Sequence, residues 1–177
     1  AGSDLLIAST PYLARELTRS KPIRRAKTPI KVIRNAIDLG RWSPRELTES
    51  SEPTIGWVGQ TSYRNRDLEP FSMPIRKWLG SHPKARFHQG GYIAGQAPAA
   101  VQLGLMRGDP ESPANWVSDM ANRFTFQPGC PIQIYPQLFE PLDISLVMLS
   151  DLPFNRAKSA IKGLESLAAG VPVIAYP

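Results

Sequence analysis

The strongest constraint on the fold lies near the end of the chain, where two apolar runs flank a helical pattern. Residues 142–149 form a nearly continuous apolar run of the length expected for a buried parallel strand. The pattern over 156–169 predicts a helix, which Gly170 ends as a left-handed cap and Pro172 prevents from continuing. Residues 171–175 then predict a further buried strand. This order of elements is a βαβ unit, and such a unit requires parallel strands.

Shorter apolar runs alternate with helical patterns along the rest of the chain. The sequence predicts strands over 5–8, 30–33, 54–58 and 85–89, and helices over 11–19 and from about Met73 to Leu79. In the last helix, Ile161, Leu164 and Ala168 recur at helical spacing and are predicted to be buried. The predicted fold class is therefore α/β, with a Rossmann-like, mainly parallel sheet and flanking helices.

The composition of the 177 residues narrows the class of protein. Hydrophobic residues make up 42% and charged residues 20%, which excludes a disordered or fibrous chain. No apolar run approaches the roughly 18 residues of a membrane span, and Cys130 is the lone cysteine, which excludes an intrachain disulfide framework. These features favour a cytoplasmic protein. The net charge of +6 favours anionic partners, among them nucleotides, nucleic acid and acidic membrane surfaces.

Residues 40–53 are rich in Ser, Glu and Pro, which is typical of a linker. We therefore predict two domains, over 1–50 and 51–177. The chain starts directly with an apolar run and stops just after another one. We therefore expect a fragment of a longer protein.

Two loops are predicted to follow strands at the carboxyl edge of the sheet, where open α/β sheets bind ligands. In the first, a glycine permits close backbone approach, and arginines bind phosphate oxygens bidentately. In the second, a lysine and the amides at a helix start are suited to a diphosphate. The candidate binding residues are Gly59, Thr61, Arg64 and Arg66 in the first loop, and Asn155, Lys158 and Ser159 in the second.

Glu165 is a further candidate, because Lys158, Lys162 and Glu165 share one face of the predicted helix. At a rise of ~1.5 Å per residue, Glu165 lies ~10 Å from Lys158, which is roughly the distance from a diphosphate to the far side of a ribose. A carboxylate there accepts hydrogen bonds from a vicinal diol. The alternative is an ordinary Lys162–Glu165 ion pair on a solvated helix. His88 has similar alternatives, as a donor contact or a structural histidine.

Residues 143–147, 154–155, 158–159 and 162–175 together resemble the donor-binding half of the GT-B glycosyltransferases, especially the retaining family-four type. Residues 32–39 resemble the segment before that family's interdomain linker, and residues 54–59 resemble the first strand and glycine turn of its second domain. The resemblance implies a domain that binds a nucleotide-diphospho-sugar and transfers the sugar to an acceptor held by an N-terminal domain. By position, Glu165 matches the motif glutamate that binds the ribose hydroxyls.

The sequence departs from the family's pattern at one position. The family's other motif glutamate lies eight residues earlier, where this chain has Ala157. Asn155 is then a candidate substitute for the missing donor-sugar contact. Two alternatives on the same fold stay open, namely a non-catalytic nucleotide-sugar-binding module and a nucleotide-sugar epimerase. Residues 1–50 would be the terminal strand and helix of the acceptor domain, together with the linker.

The sequence contains no Asp-x-Asp pair, which metal-dependent sugar transferases use to hold a cation. We therefore expect no metal and no resident cofactor, with Arg64, Arg66 and Lys158 offsetting the diphosphate charge. The expected partners are a nucleotide-sugar donor and an unknown acceptor, with peripheral contact to an acidic membrane surface left open. Basic residues from Arg15 to Lys31 raise the alternative of a nucleic-acid-binding module, but no known DNA- or RNA-binding motif accompanies them.

Overall fold

A computed structural model describes residues 3–46, 48–60, 65–93, 99–104 and 121–176. The chain divides into two compact units. The first unit comprises Ala1–Ile37 and Asp151–Ile161, and the second comprises Asp38–Ser150 and Lys162–Pro177. Among the described residues, no helix has both the length and the apolar character needed to cross a membrane.

The described part of the chain contains seven strands, seven α-helical segments and four 3₁₀ turns. The strands are β1 (Leu6–Ala8), β2 (Ile30–Val32), β3 (Thr54–Val58), β4 (Arg86–Tyr92), β5 (Phe124–Pro128), β6 (Ile144–Val147) and β7 (Val173–Ala175). The helices are α1 (Pro11–Arg19), α2 (Lys21–Ala26), α3 (Asn65–Leu68), α4 (Ser72–Ser81), α5 (Ala99–Gln102), α6 (Pro153–Arg156) and α7 (Ile161–Ala168). The 3₁₀ turns are Leu39–Arg41, Glu69–Phe71, Ala121–Arg123 and Tyr135–Phe139.

The first unit begins with the strand and helix that the sequence predicts. The strand β1 pairs in parallel with β2, so that Leu6 lies opposite Ile30. At the start of α1, the Thr10 hydroxyl accepts a hydrogen bond from the Leu13 amide at 3.1 Å, while Pro11 occupies the first turn. Threonine and proline suit these positions because the first amides of a helix have no partner within the helix.

The second unit is built on a five-stranded sheet in the order β5-β4-β3-β6-β7, and every pair is parallel. The predicted α/β, Rossmann-like class is thus confirmed. The strand β3 has the predicted bounds, whereas β4 continues past Gln89 through both glycines to Tyr92. The strand β6 is shorter than the apolar run that predicted it.

Apolar side chains cover both faces of this sheet. Trp57 and Val58 are consecutive in β3, so their side chains point to opposite faces. Trp57 packs in a cluster with Leu79 of α4 and Phe87 of β4. Val58 packs in a second cluster whose other members include Leu138, Phe139, Leu142 and Val171. Burial on both faces explains why β3 is a nearly continuous apolar run rather than an alternating one.

The prediction of one helix over 156–169 is wrong, because residues 157–160 are not helical and separate α6 from α7. Within the first unit, the Ala157 carbonyl accepts a hydrogen bond from the Thr10 hydroxyl at 3.0 Å. In a continuous helix the same carbonyl would bond to the amide of residue 161. The Ser159 hydroxyl is likewise engaged, by the Asn35 side-chain amide at 2.8 Å.

The predicted buried stripe of the last helix is also wrong. Leu164 is 40% exposed, whereas Ser166 is fully buried. The Ser166 and Ser145 hydroxyls lie 2.8 Å apart, and they join α7 to β6. The small serine side chain allows the helix to approach the sheet closely. Leu164 precedes Ser166 by two positions and therefore lies on the opposite, exposed face of the helix.

The segment 38–46, which lies largely within the predicted linker, packs on the second unit. The Trp42 ring makes edge contacts with Tyr135 and Phe139, at centroid distances of 6.3 and 5.6 Å. Arg45 forms an ion pair with Asp143 at 3.0 Å and also donates to the Leu142 carbonyl. The compact units therefore divide after residue 37, and the predicted domains 1–50 and 51–177 stay a prediction for the whole protein.

Gly170 ends α7 with a φ of +74°, as its predicted cap role requires. A Cβ at this position would lie 2.6 Å from the Arg45 carbonyl oxygen. We expect Gly170→Ala to lower the free energy of unfolding by about 2 kcal/mol, because it adds both left-handed strain and this collision. Urea denaturation measures the change.

Gly163 provides a matched control within the same helix. A Cβ at Gly163 would meet no heavy atom within 4 Å. Gly163→Ala should therefore stabilise the protein by about 0.5–1 kcal/mol through helix propensity. Equal effects of the two substitutions would contradict the assigned role of Gly170.

His88 lies on β4, is 3% exposed, and has Nδ1 at 2.8 Å from the Thr125 hydroxyl, as the structural alternative requires. Burial lowers its pKa from 6.5 to about 4. On protonation, the Nε2 hydrogen would have no partner among the described residues. The unfolded chain therefore binds this proton at higher pH than the native chain.

The stability supplied by neutral His88 should be complete above pH 6.5 and lost as the pH falls towards 4. The expected loss between pH 7 and pH 4 is about 3 kcal/mol. His88→Gln, which cannot titrate, should remove this loss from the pH dependence of urea denaturation. Parallel pH curves for the two proteins would refute the assignment.

Candidate functional site

The residues predicted to bind a ligand are distributed over both units. Asn155, Lys158 and Ser159 lie in the first unit, and Gly59 and Glu165 lie in the second. Thr61 and Arg64 lie outside the described residues. Arg66 belongs to α3, but its side chain lies outside the described part of the chain. A common site for these residues stays a prediction.

Glu165 lies in the middle of α7 and is partly buried. The Tyr135 hydroxyl donates a hydrogen bond to its Oε2 at 3.1 Å. Burial raises the pKa of Glu165 above its usual value, while the charge of Lys162 and the bond from Tyr135 act in the opposite direction. A carboxylate held in this way keeps acceptor capacity for further hydroxyl groups.

Lys162 connects the first turn of α7 to the carboxyl end of β3. Its ammonium group donates to the carbonyl of Val58, the last residue of that strand. The Nζ atom also lies 5.9 Å from the centroid of the Trp57 ring, which is within the range of a cation–π contact. Both Lys162 and Glu165 are partly buried, in contrast to the solvated pair that the sequence left as an alternative.

Gly59 follows β3 directly, and its amide donates to the Gly90 carbonyl at 2.9 Å. A Cβ at Gly59 would lie 2.7 Å from the Trp57 ring. The packing of a buried tryptophan therefore already requires glycine here. Close approach of a ligand to this backbone stays a prediction.

In the first unit, the predicted diphosphate residues have contacts of their own. The Lys158 ammonium lies 5.0 Å from the centroid of the exposed Phe154 ring. Asn155 is buried, and Ser159 accepts the hydrogen bond from Asn35 described above. Because residues 157–160 are not helical, Lys158 does not share a helix face with Glu165, contrary to the prediction.

Two functional candidates were not identified from the sequence, namely Tyr135 and Trp57. Tyr135 lies in a 3₁₀ turn thirty residues before its partner Glu165, and no local pattern signals that contact. Trp57 is one apolar residue in a buried strand, and its contact with Lys162 depends on the docking of α7. Among the described residues, no three His, Cys, Asp or Glu side chains form a group suited to a metal ion.

The chain has the fold of the GT-B glycosyltransferases, as comparison with solved structures shows. A sucrose-phosphate synthase from Thermosynechococcus elongatus is 17% identical with a TM-score of 0.57, and the match covers 98% of this chain and 41% of that one. The pneumococcal O-GlcNAc transferase in complex with UDP and GlcNAc is 13% identical with a TM-score of 0.53, over 98% and 30% of the two chains.

The catalytic domain of starch synthase IV from Arabidopsis thaliana, bound to ADP and acarbose, is 11% identical with a TM-score of 0.51. That match covers 98% of this chain and 39% of the other. This chain thus spans less than half the length of these enzymes, and the similarity lies in the fold. No protein-family model matches the sequence, and no curated protein matches it either.

The geometry around Glu165 can be tested by its titration. Tyr135→Phe removes a hydrogen bond that favours the charged carboxylate, so we expect the pKa of Glu165 to rise further. Carbon-13 NMR of the labelled glutamate carboxyl follows this titration. The phenyl ring of the variant preserves the packing with Trp42 and Phe139.

Tyr176→Phe is the matched control, because Tyr176 packs on Phe71 rather than on α7. It should leave the Glu165 titration unchanged. An unaltered or lower Glu165 pKa in Tyr135→Phe would show that the hydroxyl does not hold the carboxylate in solution.

Proposed function

We propose that this chain is the donor-binding part of a glycosyltransferase, which binds a nucleotide-diphospho-sugar and transfers the sugar to an acceptor without a metal ion. The fold supports the general class, because the similar structures are glycosyltransferases. Two of them are described in complex with UDP or ADP. Fold similarity by itself does not carry a function, so the proposal depends on the site.

The observation that carries the proposal is the position of Glu165. It is a partly buried carboxylate on α7, the helix that precedes β7, and Tyr135 and Lys162 both act on it. A ribose presents two adjacent hydroxyl donors, and the two oxygens of one carboxylate accept both of them. We propose that Glu165 binds the ribose of the nucleotide in this way.

The diphosphate requires positive charge in the absence of a metal ion. Arg64, Arg66 and Lys158 are the proposed cations, and the amides near Ser159 are proposed as further donors. Gly59 and Thr61 are proposed to line the loop after β3. The sequence lacks the Asp-x-Asp pair of metal-dependent sugar transferases, which supports a metal-independent reaction. We propose that the nucleotide-sugar is the substrate and that there is no resident cofactor.

Ala157 favours a second candidate function, a nucleotide-sugar-binding module that does not catalyse transfer. A carboxylate at this position would be available to the donor sugar, and an alanine offers only its backbone. In the first unit, the Ala157 carbonyl is already bonded to the Thr10 hydroxyl. Asn155, two residues before Ala157, is buried, and we propose that it substitutes for the missing carboxylate.

Calorimetric titration of the chain with UDP, GDP and ADP tests the proposal. We expect one of these nucleotides to bind, and we expect Glu165→Ala to weaken that binding about tenfold or more, as the loss of charged hydrogen bonds implies. Lys162→Ala should have a smaller effect, because Lys162 contacts Val58 and Trp57 and acts on the ribose only through the position of Glu165.

Glu69→Gln serves as the control, since it alters an exposed carboxylate in a 3₁₀ turn after α3. It should leave the affinity unchanged. The proposal fails if no nucleotide binds, or if Glu165→Ala and Glu69→Gln have equal, negligible effects. A second assay measures hydrolysis of a bound nucleotide-sugar or transfer of its sugar. Turnover indicates the transferase, and binding without turnover indicates the non-catalytic module.

A further inference from the structure

A separate cavity of about 220 Å³ lies within the second unit. The 3₁₀ turn Tyr135–Phe139 separates it from Glu165, because the Tyr135 hydroxyl bonds to Glu165 while the next two residues line the cavity. Sites for drug-sized ligands occupy roughly 300–1,000 Å³. The cavity therefore suits a smaller ligand, of about the size of one sugar ring.

The lining combines one aromatic wall with planar polar groups. The aromatic wall is Trp42, which is partly buried and fixed by its contacts with Tyr135 and Phe139. The polar groups include the side-chain amides of Gln133 and Gln137, which are exposed and have no hydrogen-bond partner among the described residues. Amides both donate and accept, so they suit a ligand with many hydroxyl groups.

The charges around the cavity argue against an anionic ligand. Arg41 forms an ion pair with Asp38 at 3.2 Å, and Arg45 forms one with Asp143 at 3.0 Å. Glu140, which also lines the cavity, adds a further exposed carboxylate. Two guanidinium groups thus face three carboxylates, and an anion would have to compete with them.

A neutral sugar fits each of these features. The C–H face of a pyranose ring is apolar and packs on the negative face of an aromatic ring, while its hydroxyls pair with planar side chains that offer adjacent donors and acceptors. We propose that this cavity is a binding site for a neutral saccharide, distinct from the proposed nucleotide site. It would hold a sugar unit of an acceptor or of a longer glycan on the donor-binding part itself.

Saturation-transfer NMR on the full chain tests this site. The probes are methyl glucoside, methyl galactoside, methyl N-acetylglucosaminide and maltose. We expect at least one of them to receive magnetisation from the protein and to keep receiving it when UDP is added in excess. The double variant Gln133→Ala/Gln137→Ala should weaken its affinity about tenfold, as the loss of two neutral hydrogen bonds implies.

Lys77→Ala is the control variant, because Lys77 is an exposed polar residue on α4 and does not line the cavity. It should leave the saccharide affinity unchanged, and thermal unfolding checks that both variants remain folded. The proposal is overturned if no probe binds, if UDP displaces the probe completely, or if glucose 6-phosphate binds more tightly than methyl glucoside. The readout does not require nucleotide binding, so this site and the nucleotide site can fail independently.

Discussion

The position of Glu165 depends on the contact between α7 and the end of β3. A charged amine, that of Lys162, bonds to the last carbonyl of the strand and lies near the face of a buried indole. A hydrogen bond from a charged donor contributes about 1.5–3 kcal/mol, and a cation–π contact adds about 0.5–2 kcal/mol. These magnitudes are large enough to fix the first turn of the helix, and Glu165 lies less than one turn further along.

The strands were largely predictable because their signals are local. A buried parallel strand is a continuous apolar run, and β3 follows its run residue by residue. The cap of α1 was also predictable, since Thr10 and Pro11 act on their immediate neighbours. The helix over 156–169 was not predictable, because the break depends on hydrogen bonds from Thr10 and Asn35, which are more than a hundred residues away. Local propensity contains no information about such partners.

In the candidate site, too, local signals were predictable and contacts between distant residues were not. Glu165 could be named as a candidate from its spacing and from a family resemblance, and its role in a site stays a prediction. Its partner Tyr135 could not be named, because the contact joins residues thirty positions apart with no periodic pattern. Ser166 was missed for a related reason. A serine within an apolar helix indicates solvent exposure, yet here it is fully buried and pairs with Ser145 across the helix–sheet interface. Each of these side chains has a role that only the folded chain defines.

Because of the contacts of Arg45, a fragment that contains the second unit alone must begin before β3. Its backbone fills the space beside Gly170, and its guanidinium joins Asp143 to the carbonyls that precede β6. Together with Trp42, it covers an apolar cluster that contains Phe139 and Leu142. The minimum autonomous folding unit therefore includes residues well before β3. Removing residues 1–50 would uncover that cluster and leave the Asp143 carboxylate without its cation.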